Sequence, residues 1–246
     1  MQDLFDITLA QSLKSVIIRN IKTLEVLMNK KGFTLAEVLI TISIIGIVAA
    51  LTMPVLTAST RKKEVTARLS KFNSIMEQAI TMSERDNGPV NWWSKTAMQY
   101  DQNSTYDPAA NSDLSDAFFK KYLASYLKYI SAEKDSTYNN YTKVVFADGS
   151  VMHVRNGGCY DLIYDINGGR KPNVMGRDKF AFLICPGQNN SNPTAYFQPG
   201  VYFGPYAPKT NDRNTALNNC KTNKDYCGRI LQMDNWEVKD DYPIRI

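Results

Sequence analysis

The chain has 246 residues, of which 43% are hydrophobic and 22% charged, and this composition excludes a disordered chain and a multi-pass membrane protein. The net charge is +5 and the basic residues are scattered, so nucleic-acid binding is not indicated. Because His153 is the only histidine, a Ser-His-Asp triad or a multi-histidine metal site is not expected, and we expect no enzyme.

The first strong feature is an apolar run at residues 33–56, in which Glu37 is the one charged residue. As an α-helix this run would span about 36 Å at ~1.5 Å per residue, enough to cross a bilayer core of about 30 Å. Lys30 and Lys31 precede it. By the positive-inside rule these lysines stay in the cytoplasm, and the chain after Leu56 is exported.

Two simpler explanations of this run leave features unexplained. A secretory signal has a shorter apolar run and is cut after it. An ordinary membrane anchor explains the length and the lysines but not Glu37, because a carboxylate inside a membrane span costs a few kcal/mol and usually has a functional partner. A glutamate that merely reaches the membrane interface remains an alternative.

An amphipathic helix continues from the span without a strong stop signal. Its apolar residues recur at helical intervals, which predicts one helix from about residue 33 to about residue 85, ended by Asn87-Gly88-Pro89. Gly46 and Pro54 are predicted weak points, since proline removes a backbone hydrogen bond. The alternative is that glycine and proline are simply commoner in membrane helices.

A second helix is predicted at residues 114–130. Its apolar residues follow helical spacing, and either Ser112 or Asp113 can accept the first backbone N–H groups as an N-cap. Loops rich in Gly, Pro and Asn occupy residues 186–200 and 204–215.

Short strands fill much of the remaining chain. Residues 144–151 contain Asp148-Gly149, a pair that favours a type I′ hairpin turn. Residues 180–185 form a further apolar run, and residues 230–238 are expected to form a closing hairpin that turns at residues 234–235. These segments predict an α+β fold, in which the long helix packs on a small antiparallel sheet and the C-terminal region is loop-rich and disulfide-clipped.

The run Lys30-Lys31-Gly32-Phe33-Thr34-Leu35-Ala36-Glu37 resembles the class III signal of type IV pilins and type II secretion pseudopilins. The resemblance implies that a prepilin peptidase recognises Gly32, cuts before Phe33 and N-methylates the new amino terminus. It also implies that Glu37 pairs with the terminal amine of a neighbouring subunit during assembly. Gly46 and Pro54 fall where pilin helices commonly carry glycine and proline.

The resemblance divides the chain into three parts. Residues 1–32 would be a leader that is removed, residues 33–56 the transmembrane and assembly helix, and residues 57–246 the exported head. Because leaders of this family are usually short, we expect translation to start at Met28. An uncleaved product that begins at Met1 would contradict this.

A structural subunit that polymerises into a type IV pilus or a type II secretion pseudopilus is the expected function. The implied partners are the prepilin peptidase, other pilin or pseudopilin subunits, the inner-membrane assembly platform, and membrane lipid before assembly. The expected location is the bacterial inner membrane, with the N-terminus cytoplasmic, and then an extracellular filament or a periplasmic pseudopilus. A minor tip pilin for adhesion or DNA uptake, and a membrane-anchored exported binding domain that never polymerises, remain alternatives.

The head offers one candidate calcium site, and no other cofactor is expected. Asp161, Asp165, Asn167 and Asp178 supply oxygens around the Gly168-Gly169 bend, and some pseudopilins bind calcium in their heads. A complete EF-hand loop would need a glutamate where Gly176 stands, and the same residues are ordinary turn formers.

Four cysteines lie in the exported part, where oxidation is permitted. We expect Cys220 to pair with Cys227, because the seven-residue spacing can fold back, and Cys159 to pair with Cys185. Sequence alone allows the other two pairings, and Cys185 would alternatively be a buried free thiol.

Overall fold

The computed structural model describes residues 34–136, 141–187 and 196–246. The chain divides into two units, Met1–Val55 and Leu56–Ile246. Helix α1, Leu35–Asn87, is the longest element among the described residues. It ends before Gly88, whose φ of +78° favours glycine. The expected long helix and its Asn-Gly-Pro stop are therefore confirmed.

The part of α1 in the first unit has the length and composition of a membrane-crossing helix. This stretch is Leu35–Met53, and its side chains are not buried in the structure. The helix continues through Gly46 and Pro54. A Cβ placed on Gly46 would meet no atom within 4 Å. Weakening of the helix at these two residues stays a prediction.

In the described part of the second unit, six antiparallel strands form one sheet whose order follows the chain. Each strand therefore pairs with the next one in sequence, and no crossover connection is needed. The strands are β1 Ser131–Asp135, β2 Tyr141–Val145, β3 Val151–Asn156, β4 Tyr160–Asp165, β5 Lys179–Ile184 and β6 Phe203–Pro205.

One face of the Leu56–Asn87 part of α1 packs on this sheet. The apolar residues that recur at helical intervals along it are buried, among them Val65, Leu69 and Met76 at 0% exposure. Phe72 lies at the centre of this contact and stacks on Tyr164 of β4. The amphipathic pattern thus identified the correct helix face.

The second helix begins six residues before the predicted start at residue 114. Helix α2 is Pro108–Tyr122, and the carboxylate of Asp107 caps it by accepting from the N–H groups of Ala109 and Ala110. Proline suits the first helical position because it has no N–H to satisfy there. The expected caps, Ser112 and Asp113, lie inside the helix, and a 3₁₀ turn, Ala124–Tyr126, follows it.

The β2–β3 hairpin exists, but its turn differs from the expected type I′. The N–H of Gly149 donates to the carbonyl of Phe146 at 3.0 Å. Gly149 has φ +79°, whereas Asp148 is not among the residues with positive φ. A type I′ turn needs positive φ at both of its central residues, and Asp148 lacks it. Gly149 is instead the last residue of the turn.

The expected closing hairpin at residues 230–238 is wrong. Two helices occupy the C-terminal region, α3 Arg213–Thr222 and α4 Cys227–Met233. Asp234 ends α4, and Asn235 and Trp236 then both take positive φ. Trp236 is nevertheless buried in the main core, so the apolar residues there pack from a loop rather than from a strand.

Candidate functional site

The first turn of α1 is closed by a reciprocal pair of side chains, Thr34 and Glu37. Glu37 Oε2 accepts from the backbone N–H and the hydroxyl of Thr34, both at 2.9 Å. Thr34 Oγ1 accepts in turn from the backbone N–H of Glu37 at 3.2 Å. This is a capping box, which satisfies donors that a helix start otherwise leaves unpaired.

Both of these accepted bonds fall on one carboxylate oxygen of Glu37. No described residue donates to its other oxygen, Oε1. The negative charge also lies at the N-terminal end of the helix, where the helix dipole favours an anion. The side chain is therefore held in place while one oxygen stays available to a donor from another molecule.

Hydroxyl groups further along the span are already satisfied within the helix. Thr41, Ser43 and Thr52 donate to carbonyls three or four residues earlier, at 2.7–2.9 Å. Lipid offers no partner for a polar group, so this back-bonding makes these side chains compatible with a membrane. Among the described residues of this segment, Glu37 is the one ionised group.

The rest of the segment presents apolar surface. Leu35 is 81% exposed and Leu51 72%, and large aliphatic side chains lie on every side of the helix between them. A helix that is apolar all round is stable only when lipid or other helices cover it. This surface is therefore suited to a bilayer or to a bundle of neighbouring helices.

Gly32 and Phe33, the expected cleavage residues, lie outside the described residues, as does the whole leader. The first described residue is Thr34, the N-cap partner of Glu37. The Thr-x-x-Glu spacing is a sequence signature of a helix start. This spacing identifies the capping role of Glu37 from the sequence, in addition to the role that its charge suggests.

All four cysteines are disulfide-bonded in the pairs expected from the sequence, Cys159–Cys185 and Cys220–Cys227. The first bridge joins the residue before β4 to the residue after β5, because these antiparallel strands bring their ends together. The second joins α3 to the start of α4. Each therefore closes a local loop within the Leu56–Ile246 unit.

The four residues of the candidate calcium site are only partly brought together. Asn167 Nδ2 donates to Asp178 at 3.1 Å, and its backbone N–H donates to Asp165 at 3.1 Å. Asp178 also accepts from the backbone N–H groups of Asn173 and Val174.

Asp161 is engaged elsewhere, in an ion pair with Arg155. Burial raises the pKa of Asp161, and the charge of Arg155 opposes that shift. No group of three or more acidic, histidine or cysteine side chains suited to a metal occurs within residues 34–136, 141–187 and 196–246. Calcium binding stays a prediction, and the bonds seen here are those of a loop shaped by its own carboxylates.

The only histidine, His153, lies on β3 and is 8% exposed. Burial lowers the pKa of His153 to about 4, with a smaller opposing effect from Asp135. It is therefore neutral near pH 7 and is part of the sheet rather than a titrating centre.

Comparison with known families agrees with these features. Residues 27–53 match the prokaryotic N-terminal methylation motif, which is the class III prepilin-type signal. The chain thus carries the prepilin-type signal that marks type IV pilins and pseudopilins, which are structural proteins.

Residues 55–246, most of the chain, match a second family model, described as Family of unknown function (DUF6613). The chain belongs to this family. No curated protein and no solved structure matches it.

Proposed function

We propose that the mature chain polymerises through the apolar segment of α1 into a type IV pilus or a type II secretion pseudopilus. The observation that carries this proposal is the position and hydrogen bonding of the Glu37 carboxylate. It is a lone carboxylate at the start of an apolar helix, with Oε2 bonded to Thr34 and Oε1 without a donor among the described residues. A group placed in this way is suited to receive a cation from outside its own helix.

The cation proposed is the terminal amine of Phe33 in a neighbouring subunit. Cutting after Gly32 creates this amine, and N-methylation leaves it cationic. A buried ion pair adds little net stability, but losing one partner costs about 3–5 kcal/mol. The pair would therefore fix which subunits align and in what register, while the apolar surface of Leu35–Met53 supplies the adhesion.

The proposed sequence of events follows from these groups. The leader keeps the N-terminus in the cytoplasm while the helix lies in the inner membrane, with lipid covering its apolar side chains. The peptidase then removes the leader, and the assembly platform passes the subunit from lipid to the growing filament. Neighbouring helices replace lipid around the same side chains, so the apolar surface is never left in water.

The test is the substitution Glu37→Leu in a host that assembles filaments. We expect this variant to insert and to be cut, since removing a charge makes insertion easier. We expect it to be missing from sheared filament fractions. Glu64→Leu, on the same helix but outside the apolar segment, is the matched control and should enter filaments.

Normal incorporation of Glu37→Leu would overturn the role of Glu37. Absence of the unmodified chain from every filament fraction, despite normal cutting, would instead favour an exported binding domain that does not polymerise.

A further inference from the structure

A pit the size of one side chain lies in the Leu56–Ile246 unit, where α1 meets the β2–β3 turn. Its volume is about 240 Å³, below the about 300–1,000 Å³ usual for small-molecule sites. Aromatic rings form its floor and charged side chains its rim. The floor is Phe72, Phe146 and Tyr164, and the rim is Lys71, Lys128 and Asp148.

The rim of the pit has a positive balance, with two lysines against one aspartate. Lys71 Nζ already binds Asp148 at 2.8 Å, and Lys128 adds a second positive charge at the opening of the pit. The apolar surface also extends outward, because Ile130 is 69% exposed and its N–H donates to the carbonyl of Val145, next to Phe146. An aromatic group with an acidic neighbour would suit this surface.

Such a group projects from another part of the same unit. Trp92 is 66% exposed, whereas Trp93 and Trp236 are buried. Its backbone is fixed by a 3₁₀ turn, Val90–Trp92, in which the Trp92 N–H donates to the Pro89 carbonyl at 2.8 Å. Buried Val90 and Trp93 anchor that turn on either side, so the exposed indole is held outward.

Charged side chains lie in the chain just before this indole. The Trp92 ring lies against Gly88, where an added Cβ would be 3.2 Å from its Cε3 atom. Asp86 stands two residues before that glycine, is half exposed and pairs with Arg85 at 3.8 Å. Glu84 accepts from the N–H of Val90 at 2.9 Å. With two carboxylates against one arginine, the segment before Trp92 has a negative balance, whereas the rim of the pit has a positive one.

A chain cannot fill its own pit with this indole. Ile75, which lines the pit, is followed by twelve more residues of α1 before the helix ends, about 18 Å at ~1.5 Å per residue. Trp92 does not line the pit. A contact between two different patches of identical chains does not close on itself as a twofold dimer does, and it can extend into a filament.

We propose that Trp92 of one copy docks into the pit of the next copy along the filament. The inference rests on the proposed polymerisation and adds to it a contact between the exported parts. Tryptophan is the residue type most enriched at energetically dominant interface positions, and basic and acidic borders would fix its orientation.

The test is photo-cross-linking of the full chain in filaments. A benzophenone amino acid replaces Trp92 in one isotope-labelled copy, which is co-assembled with unlabelled copies. The expected result is a cross-link between copies that maps to residues 71–75 or 146–150. The same probe in place of Tyr100, an aromatic residue that is 54% exposed, should not label those segments.

Two substitutions complete the design. Trp92→Ala should leave folding intact, since the side chain is exposed, and should reduce filament yield. Ala147→Trp, at the pit lining, should lower cross-linking from position 92 by about tenfold or more. Ala109→Trp, at an exposed alanine of α2, is its control and should leave cross-linking unchanged.

The outcomes separate the two proposals. Filaments in which position 92 labels other segments of the chain, a different protein or nothing at all would overturn this docking contact alone. A chain that never enters filaments would overturn polymerisation, and this contact with it.

Discussion

The ring of Phe72 on α1 stacks on the ring of Tyr164 on β4, with 4.0 Å between the ring centroids and 12° between the planes. Phe182 of β5 meets Phe72 edge-on from the same sheet, at 5.0 Å. Aromatic pairs of these geometries stabilise beyond the area they bury. Phe72 therefore joins the helix to two central strands.

Truncating this ring should be costly. Phe72→Ala is expected to lower the free energy of unfolding by about 3–5 kcal/mol, because it leaves a cavity between helix and sheet. Urea unfolding of the detergent-solubilised chain, followed by tryptophan fluorescence, measures this. Tyr100→Ala removes an exposed ring and should change stability by less than about 0.5 kcal/mol. Equal effects of the two substitutions would contradict the packing described.

The two disulfides should differ in what they contribute. They close loops of different length, with sequence separations of 26 and 7. Chain entropy then makes the Cys159–Cys185 bridge worth about 1 kcal/mol more than the Cys220–Cys227 bridge. All four cysteines are buried, so packing losses largely cancel in the comparison.

Paired alanine substitutions of each bridge, compared by urea unfolding, check the difference between the two disulfides. A larger loss from removing Cys220–Cys227 would show that loop closure is not the main contribution.

Asp148 predicts a dependence of stability on acid pH. Burial acts to raise the pKa of Asp148, but hydrogen bonds from Lys71 and Ser150 outweigh burial and lower it to about 2, from 3.8. A carboxyl group with a lowered folded-state pKa stabilises the protein above its unfolded-state value and loses that contribution as pH falls. The contribution of Asp148 is thus full above about pH 4 and lost towards pH 2.

The variant that isolates this contribution is Asp148→Asn. The difference in Tm between the unmodified chain and Asp148→Asn should be constant between pH 5 and pH 7 and should shrink below about pH 4. A difference that stays the same at pH 2.5 would show that the charge of Asp148 does not stabilise the fold.

The leader residue before the cut should be the least tolerant position of the signal. Gly32→Leu is expected to block processing, because the peptidase must accept the backbone before Phe33 where only a minimal side chain fits. Gly32→Ala should be cut poorly. The size of the protein on a denaturing gel reports the cut, and Gly46→Leu is a control that should be processed. Normal cutting of Gly32→Leu would place the cleavage site elsewhere.

The sequence predicted features that depend on residues close together in the chain. Hydrophobic periodicity predicts the buried face of α1 within Leu56–Asn87 and the β5 strand. The pair Asp148-Gly149 predicts the β2–β3 hairpin. The predicted start of helix α2 is wrong because the apolar pattern begins near Leu114, whereas Asp107-Pro108 starts the helix six residues earlier. There the cap and the proline outweigh the apolar pattern.

Other features depended on contacts that sequence does not reveal. Residues 230–233 resemble a strand by composition, yet they lie in helix α4, and the Cys220–Cys227 bridge ties the first residue of that helix to α3. Strand β4 is not among the strands that the sequence predicts, because Asp161 and Asp165 flank its apolar residues and indicate calcium ligands instead. Its position between β3 and β5 depends on long-range pairing, which local patterns do not specify.

Cutting before Phe33 and entry into a filament can be tested in one experiment. The most direct measurement is mass spectrometry of the N-terminal peptide in filaments sheared from, or purified out of, a host that processes and assembles them. We predict a peptide that begins at N-methylated Phe33 and retains Glu37, present in the filament fraction. An intact leader in that host would show that the chain is not cut before Phe33, and a correctly cut chain found only in the membrane fraction would show that it does not polymerise.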